Sequence, residues 1–173
     1  EKYKDQIIMP DPRESGTAAD LIAAMVDQWG EKKTWDLFDK LFDNGMIVQG
    51  ANGPALDQVT SGSRGIVLGG VDYSAYSAQK KGEPLEVAIP TSGTTVTPRP
   101  VMILKSSDNK EAAEAFVDFM FSEEEQEISA SKNMIPANKD IAPKNGPKLD
   151  EIKTLYDDLD GLVSQSKDIK ETF

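Results

Sequence analysis

The stretch QIIMPDPRESGTAADLIAAMVDQWG, Gln6 to Gly30, decides the fold. Gln6-Ile7-Ile8-Met9 is a short apolar run stopped by Pro10 and Pro12, so it reads as a strand. Behind it Ala18, Leu21, Ile22, Met25, Val26 and Trp29 recur at the i, i+3, i+4, i+7 spacing of one helix face, and Gly30 ends the run. The same alternation continues downstream. Trp35, Phe38, Leu41 and Phe42 mark a second helix closed by Asn44-Gly45, and Met46 to Val48 reads as a strand. Asn52-Gly53-Pro54 turns into a brief helix around Ala55 to Thr60, and Gly65 to Gly70 reads as a buried strand. A short helix over Tyr73 to Lys80 stops at Gly82 and leads to a strand over Leu85 to Ile89. Strands alternating with helices require crossover connections, which implies parallel pairing and an α/β architecture.

That unit occupies residues 1–93 as one nearly complete α/β lobe. Residues 94–98, within the small and β-branched run TSGTTVTP, read as a hinge or crossover. Beyond it, 99–173 has a different texture. Arg99 to Lys105 reads as a strand, Asp108-Asn109-Lys110-Glu111 and Ser122-Glu123-Glu124-Glu125 read as capping boxes, and Ala112, Phe116, Val117 and Met120 form an inward face. After a loop from Ile135 to Pro147, a last helix carries Leu149, Ile152, Leu155, Tyr156, Leu159, Leu162 and Val163 on one stripe. One strand and three helices do not close a sheet domain. The segment is therefore expected to pack on polypeptide from elsewhere, and the chain looks truncated at its amino end.

Composition narrows the chemistry. The formal charge of −11, from 30 acidic and 19 basic side chains in 173 residues, opposes phosphate-backbone attraction, so no nucleic-acid partner is expected. Cysteine and histidine are both absent. That removes thiolate nucleophiles, Cys/His zinc sites and the histidine base of a serine triad, and no lysine stands at a local spacing that would activate Ser15 as a nucleophile. No residue is assigned a catalytic role. No run reaches the ~20 apolar residues of a membrane span.

What remains is the tip of the first long helix. Three residues after Ser15 comes Ala18, where the two capping boxes carry a glutamate. With Gly16 and Thr17 also small, first-turn amides stay uncovered at the positive end of the helix dipole, which suits an anion. Ser15 and Thr17 add hydroxyls, with Arg13 and Glu14 just ahead of them. Gly53 in the Asn52-Gly53-Pro54 turn, and Asp72-Tyr73 after Gly69-Gly70, lie at comparable strand-to-helix junctions, where open α/β sheets bind ligands.

These motifs, in the order IIMPDPRESGTAADLIAAMVDQWG, the Asn-Gly-Pro turn, SGSRGIVLGGVDYSAYSAQKKGEPLEVAIP and VMILKSSDNKEAAEAFVDFMFSEEEQEISASKNMIPANKDI, resemble the carboxy-terminal half of bacterial extracellular solute-binding proteins of ABC importers. The likeness covers residues 3 to about 141 and is to the branch of ferric-iron, phosphonate, sugar-phosphate and polyamine binders. It implies the type II periplasmic-binding fold, two α/β lobes closing on a ligand, with 1–93 as most of the second lobe and 99–173 as the C-terminal part of the first. It further implies a missing N-terminal lobe, permease partners, an extracytoplasmic location and no cofactor, with ferric iron as an alternative cargo. On the matching positions, Ser15, Gly16 and Thr17 are implied to hold an anion, with the Gly53-Pro54 turn and Asp72-Tyr73 lining the cleft; Arg13, Glu14 and Asn52 are the further candidate ligand-binding residues. The ferric branch usually has adjacent tyrosines, whereas Tyr73 here is followed by Ser74, with Tyr76 three residues on. The resemblance thus implies capture of a small anionic solute such as a phosphonate or sugar phosphate. A ligand sensor of a receptor or regulator is the alternative from another class.

Overall fold

A computed structural model describes residues 2–156 and 159–173. The chain divides into two compact units, Glu1–Thr97 with Lys153–Phe173, and Pro98–Ile152. The division expected at 94–98 and these units differ in residues 153–173, which return to the first unit.

The first unit is built on a three-stranded, wholly parallel sheet of β1 (Ile7–Met9), β2 (Ile47–Val48) and β3 (Ile66–Val67), in the order β2-β1-β3. Ile8 is paired with Ile47 on one side and with Val67 on the other, so β1 is the central strand. Helices α1 (Gly16–Trp29) and α2 (Glu31–Asp43) connect β1 to β2, α3 (Asn52–Thr60) connects β2 to β3, and α4 (Asp72–Lys80) follows β3. The predicted α/β class is the one observed. Leu85 to Ile89, expected as a strand, joins no ladder among the described residues, and β3 is only partly buried.

Alanine explains why α1 can be the core helix. Ala18, Ala19, Ala23 and Ala24 are fully buried beside Leu21, Ile22 and Met25, so neighbours approach closely on more than one side. Helix α7 (Leu159–Thr172) packs on α1, and Leu162 and Ile169 enter the same core. Its end is fixed by rings: Phe173 meets the buried Phe38 edge to face, centroids 6.0 Å apart, and Phe38 meets Trp35 at 6.0 Å. Each fully buried aliphatic side chain of this core stabilises the fold by roughly 1.5–3 kcal/mol.

The single helix expected from Leu149 to Val163 is instead a short 3-10 turn, Leu149–Glu151, an extended segment through Tyr156, and α7. Backbone pairing is the reason: Thr154 bridges Thr94 in parallel, Thr94 N–H donates to the Lys153 carbonyl at 3.0 Å, and Leu155 N–H donates to the Thr94 carbonyl at 2.9 Å. The side chains of Leu159 and Val163 lie outside the described residues, as do Asp157 and Asp158.

The second unit holds α5 (Lys110–Met120) and α6 (Glu123–Ser131). Both capping boxes need correction. Asn109, not Asp108, caps α5 by accepting from Ala112 N–H at 3.0 Å, because Asn109 alone sits at the non-helical position ahead of the first turn. Ser122 does cap α6, but the Glu125 carboxylate turns to Ser129 Oγ at 2.8 Å and to Gln126 Nε2 at 3.1 Å. Polar fastenings hold this unit. Gln126 donates to the Met120 carbonyl at 2.8 Å and accepts from Asn138 N–H at 3.0 Å, and Asn145 donates to Asn133 Oδ1 at 2.6 Å. Its large apolar side chains are mostly outside: Met102 is 69%, Leu104 64%, Phe121 61% and Phe116 57% exposed. The inward face expected of Phe116 on α5 is thus not formed, and no strand is assigned over Arg99 to Lys105, where one was expected.

Candidate functional site

Parallel strands deliver every following helix to one edge of the sheet. The chain leaves β1 at Met9 and reaches the tip of α1 at Ser15; it leaves β2 at Val48 and reaches the tip of α3 at Asn52. A short lacing holds these exits together. Asp11 N–H donates to the Gly50 carbonyl at 2.8 Å, and Gln49 N–H donates to the Met9 carbonyl at 3.1 Å.

The two tips meet through side chains. Ser15 Oγ lies 3.0 Å from Asn52 Oδ1 and 3.1 Å from Thr17 Oγ1, while Asn52 Nδ2 lies 3.3 Å from Thr17 Oγ1. Ser15 is 2% exposed and already accepts from Ala18 N–H at 3.2 Å. With its proton directed at Asn52, its hydroxyl is a structural cap; Thr17 Oγ1 lies 3.4 Å from the same Asn52 Oδ1, so the side-chain donor left at the tip is an Asn52 amide proton. The first turn of α1 holds no acidic residue, and neither does that of α3. Gly16 and Gly53 both stand in open space: a Cβ added to either would meet nothing within 4 Å. Small residues, open approach and amide dipoles thus converge from two helices.

The other residues singled out in the sequence divide. Arg13 is engaged, with Nε 2.9 Å and Nη2 2.5 Å from the two oxygens of Asp11, so its charge is shared with a carboxylate. That hydrogen-bonded guanidinium holds the Asp11 carboxyl below its ordinary pKa against an opposing effect of burial. Asp11 also accepts at its carbonyl from Ser15 N–H at 2.7 Å, so it shapes the approach to the tip. The sequence offered no signal for Asp11 beyond its place between two prolines. Glu14 is exposed, with its amide on the Asp11 carbonyl at 2.9 Å.

At α4 the arrangement is closed. Asp72 is the first helical residue and Val71 takes the capping position; Asp72 Oδ1 accepts from Tyr73 N–H at 2.8 Å. A carboxylate of the chain therefore covers this tip, unlike those of α1 and α3. Burial, and then the charge of Asp72, raise the pKa of Tyr76 and favour its neutral phenol. No cluster of three or more acidic, histidine or cysteine side chains suited to a metal occurs among the described residues.

The sequence profile described as bacterial extracellular solute-binding protein matches residues 1–158. The chain belongs to this family. A Haemophilus influenzae relative, described as an uncharacterized protein, is 32% identical over 130 residues, covering 74% of this chain and 37% of its own length. The sulfate-binding protein of Salmonella typhimurium is 25% identical over 179 residues, covering 94% of this chain and 53% of its own. Among solved structures, the periplasmic binding protein AfuA of Actinobacillus pleuropneumoniae, with exogenous fructose-6-phosphate bound, superposes with a TM-score of 0.82 at 27% identity, over 98% of this chain and 55% of that one. This family member therefore has the periplasmic-binding-protein fold and spans about half the length of AfuA and of the sulfate-binding protein.

Proposed function

We propose that this chain is the anion-holding half of an extracytoplasmic substrate-binding component of an ABC importer, which captures a small phosphate-bearing or similarly anionic solute and delivers it to membrane permease subunits. The observation that carries the reading is the Ser15–Thr17–Asn52 junction, where two helix tips without acidic residues meet at the strand-end edge of a parallel sheet. The likeness to AfuA with a sugar phosphate, and to a sulfate-binding protein, supports an anion as ligand. Binding needs no catalysis: an Asn52 amide proton and the first-turn backbone amides supply neutral donors that hold charge by hydrogen bonding alone. Ferric iron fits this half less well, because Tyr73 is followed by Ser74 and not by a second tyrosine, and Asp72 Oδ1 accepts from Tyr73 N–H.

The exposed apolar face of Pro98–Ile152 fits the same reading. Met102, Leu104, Phe116 and Phe121 are each more than half exposed. We assign their cover to a preceding lobe of the same protein, which also completes the cleft; the chain's 55% share of AfuA's length leaves room for one.

Mass spectrometry of solute released from the longer two-lobe polypeptide tests the assignment. A phosphate-, phosphonate- or sulfate-bearing compound is expected. A neutral solute, or a coloured ferric complex with tyrosinate absorption, would contradict it.

A further inference from the structure

Two segments join the compact units, 94–97 on the way out of the first unit and 153–156 on the way back. They run side by side, with Thr94 bridged to Thr154. Two side-chain hydrogen bonds add to this pairing. Tyr156 Oη donates to the Val96 carbonyl at 2.6 Å, joining one segment to the other. Thr97 Oγ1 donates to Asp20 Oδ2 at 3.1 Å, joining the outgoing segment to α1 one turn beyond Thr17. Leu155, 4% exposed, packs into the core that α1 dominates and against Gly93, whose φ of +119° lets the backbone pass where a side chain would strike it.

We propose that Asp20 and Tyr156 form a clamp, Tyr156 tying the two joining segments to each other and Asp20 tying the outgoing one to α1, that holds both segments on the first unit. The region 94–97, which its composition marks as a flexible connector, then belongs to the rigid body of the first unit. The consequence for the site is mechanical. Ser15 and Thr17 sit at one end of α1 and the clamp grips it one turn further on, so the tip and the joining segments move as one piece. The clamp is independent of which solute the tip holds.

Amide hydrogen exchange on the 173-residue chain reads the clamp directly, at Thr94 N–H and Leu155 N–H. Tyr156→Phe and Thr97→Val each delete one hydroxyl with little change of shape. Each is expected to accelerate exchange at these two amides by about five-fold, and the double variant by about twenty-fold, while Ile22 to Val26 in α1 keep wild-type protection. Asp20→Asn retains an acceptor for Thr97 and should retain most of the protection. Unchanged exchange at Thr94 and Leu155 in the double variant would overturn the proposal. So would acceleration of equal size throughout α1, which would make the two bonds ordinary contributors to global stability.

Discussion

Ser15 and Asn52, 37 residues apart in sequence, meet with Oγ 3.0 Å from Oδ1, and this contact joins the tip of α1 to that of α3. Neither residue reaches the other through local structure. The parallel sheet brings them together by ending β1 and β2 at the same edge. Because Ser15 both caps α1 and donates to Asn52, its replacement has two separable effects. Ser15→Ala is expected to cost ~1 kcal/mol as a lost cap, with a further ~0.5–1.5 kcal/mol of coupling to Asn52. A double-mutant cycle of Ser15→Ala and Asn52→Ala, followed by urea denaturation, measures that coupling. Strict additivity would show that the hydrogen bond carries no stability.

Gly93 sets the path of the joining segments. A Cβ there would lie 3.0 Å from Leu155 Cδ2 and 3.2 Å from the Lys153 carbonyl oxygen, and its φ is +119°. Gly93→Ala is expected to destabilise the first unit by ~1–3 kcal/mol, read as a lower denaturation midpoint. Wild-type stability would mean that the segment can shift without loss.

Acid should act through Asp11. Its folded carboxyl is held below the ordinary value near ~3.9, mainly by its hydrogen bond with Arg13. A depressed folded pKa contributes stability that is complete above the unfolded value and is lost as pH falls through the folded one. Asp11→Asn should therefore be less stable than wild type at neutral pH, with the gap closing below about pH 4. Thermal melts of both proteins across that range check the sign; a gap that widens on acidification would refute it.

The exposed apolar side chains of Pro98–Ile152 predict an asymmetry between contexts. Met102→Glu and Leu104→Glu remove exposed surface, so within this chain each should alter stability by no more than about 0.5 kcal/mol and reduce binding of an apolar dye. In a polypeptide that carries the proposed preceding lobe the same changes should destabilise by a few-fold more, because a buried unpaired charge is costly. Equal, small effects in both would place these residues at solvent in the whole protein.

Much of the first unit was legible from period and punctuation. The apolar face of α1, Gly30 and Asn44-Gly45 as stops, and three short strands between helices all appear at or near the expected positions. Where the reading failed, long-range pairing had overridden local pattern. Leu149 to Val163 has helical spacing, yet Thr154 and Leu155 are drawn into pairing with Thr94, some sixty residues away in sequence. Phe116 sits on an amphipathic face that nothing among the described residues covers, so the pattern alone overstated its burial. In the candidate site, the spacing exposed the helix tips but not their state. That Asp72 closes its own tip, that Arg13 is committed to Asp11, and that Ser15 is spent on Asn52 are matters of side-chain direction, which residue order does not encode.

The central claim is that the junction of α1 and α3 holds an anion, and an NMR titration of the 173-residue chain with sodium sulfate and with fructose-6-phosphate, against sodium chloride at equal ionic strength, tests it most directly. With the proposed second wall of the cleft absent, binding should be weak, so saturating shifts in the millimolar range, about 1 mM or above, are expected. They should centre on the amides of Gly16, Thr17 and Gly53, spare those of Asp72 and Tyr73, and diminish in Asn52→Ala. Shifts that scatter over the surface, follow chloride equally, or leave Gly16 and Thr17 unmoved would contradict the account.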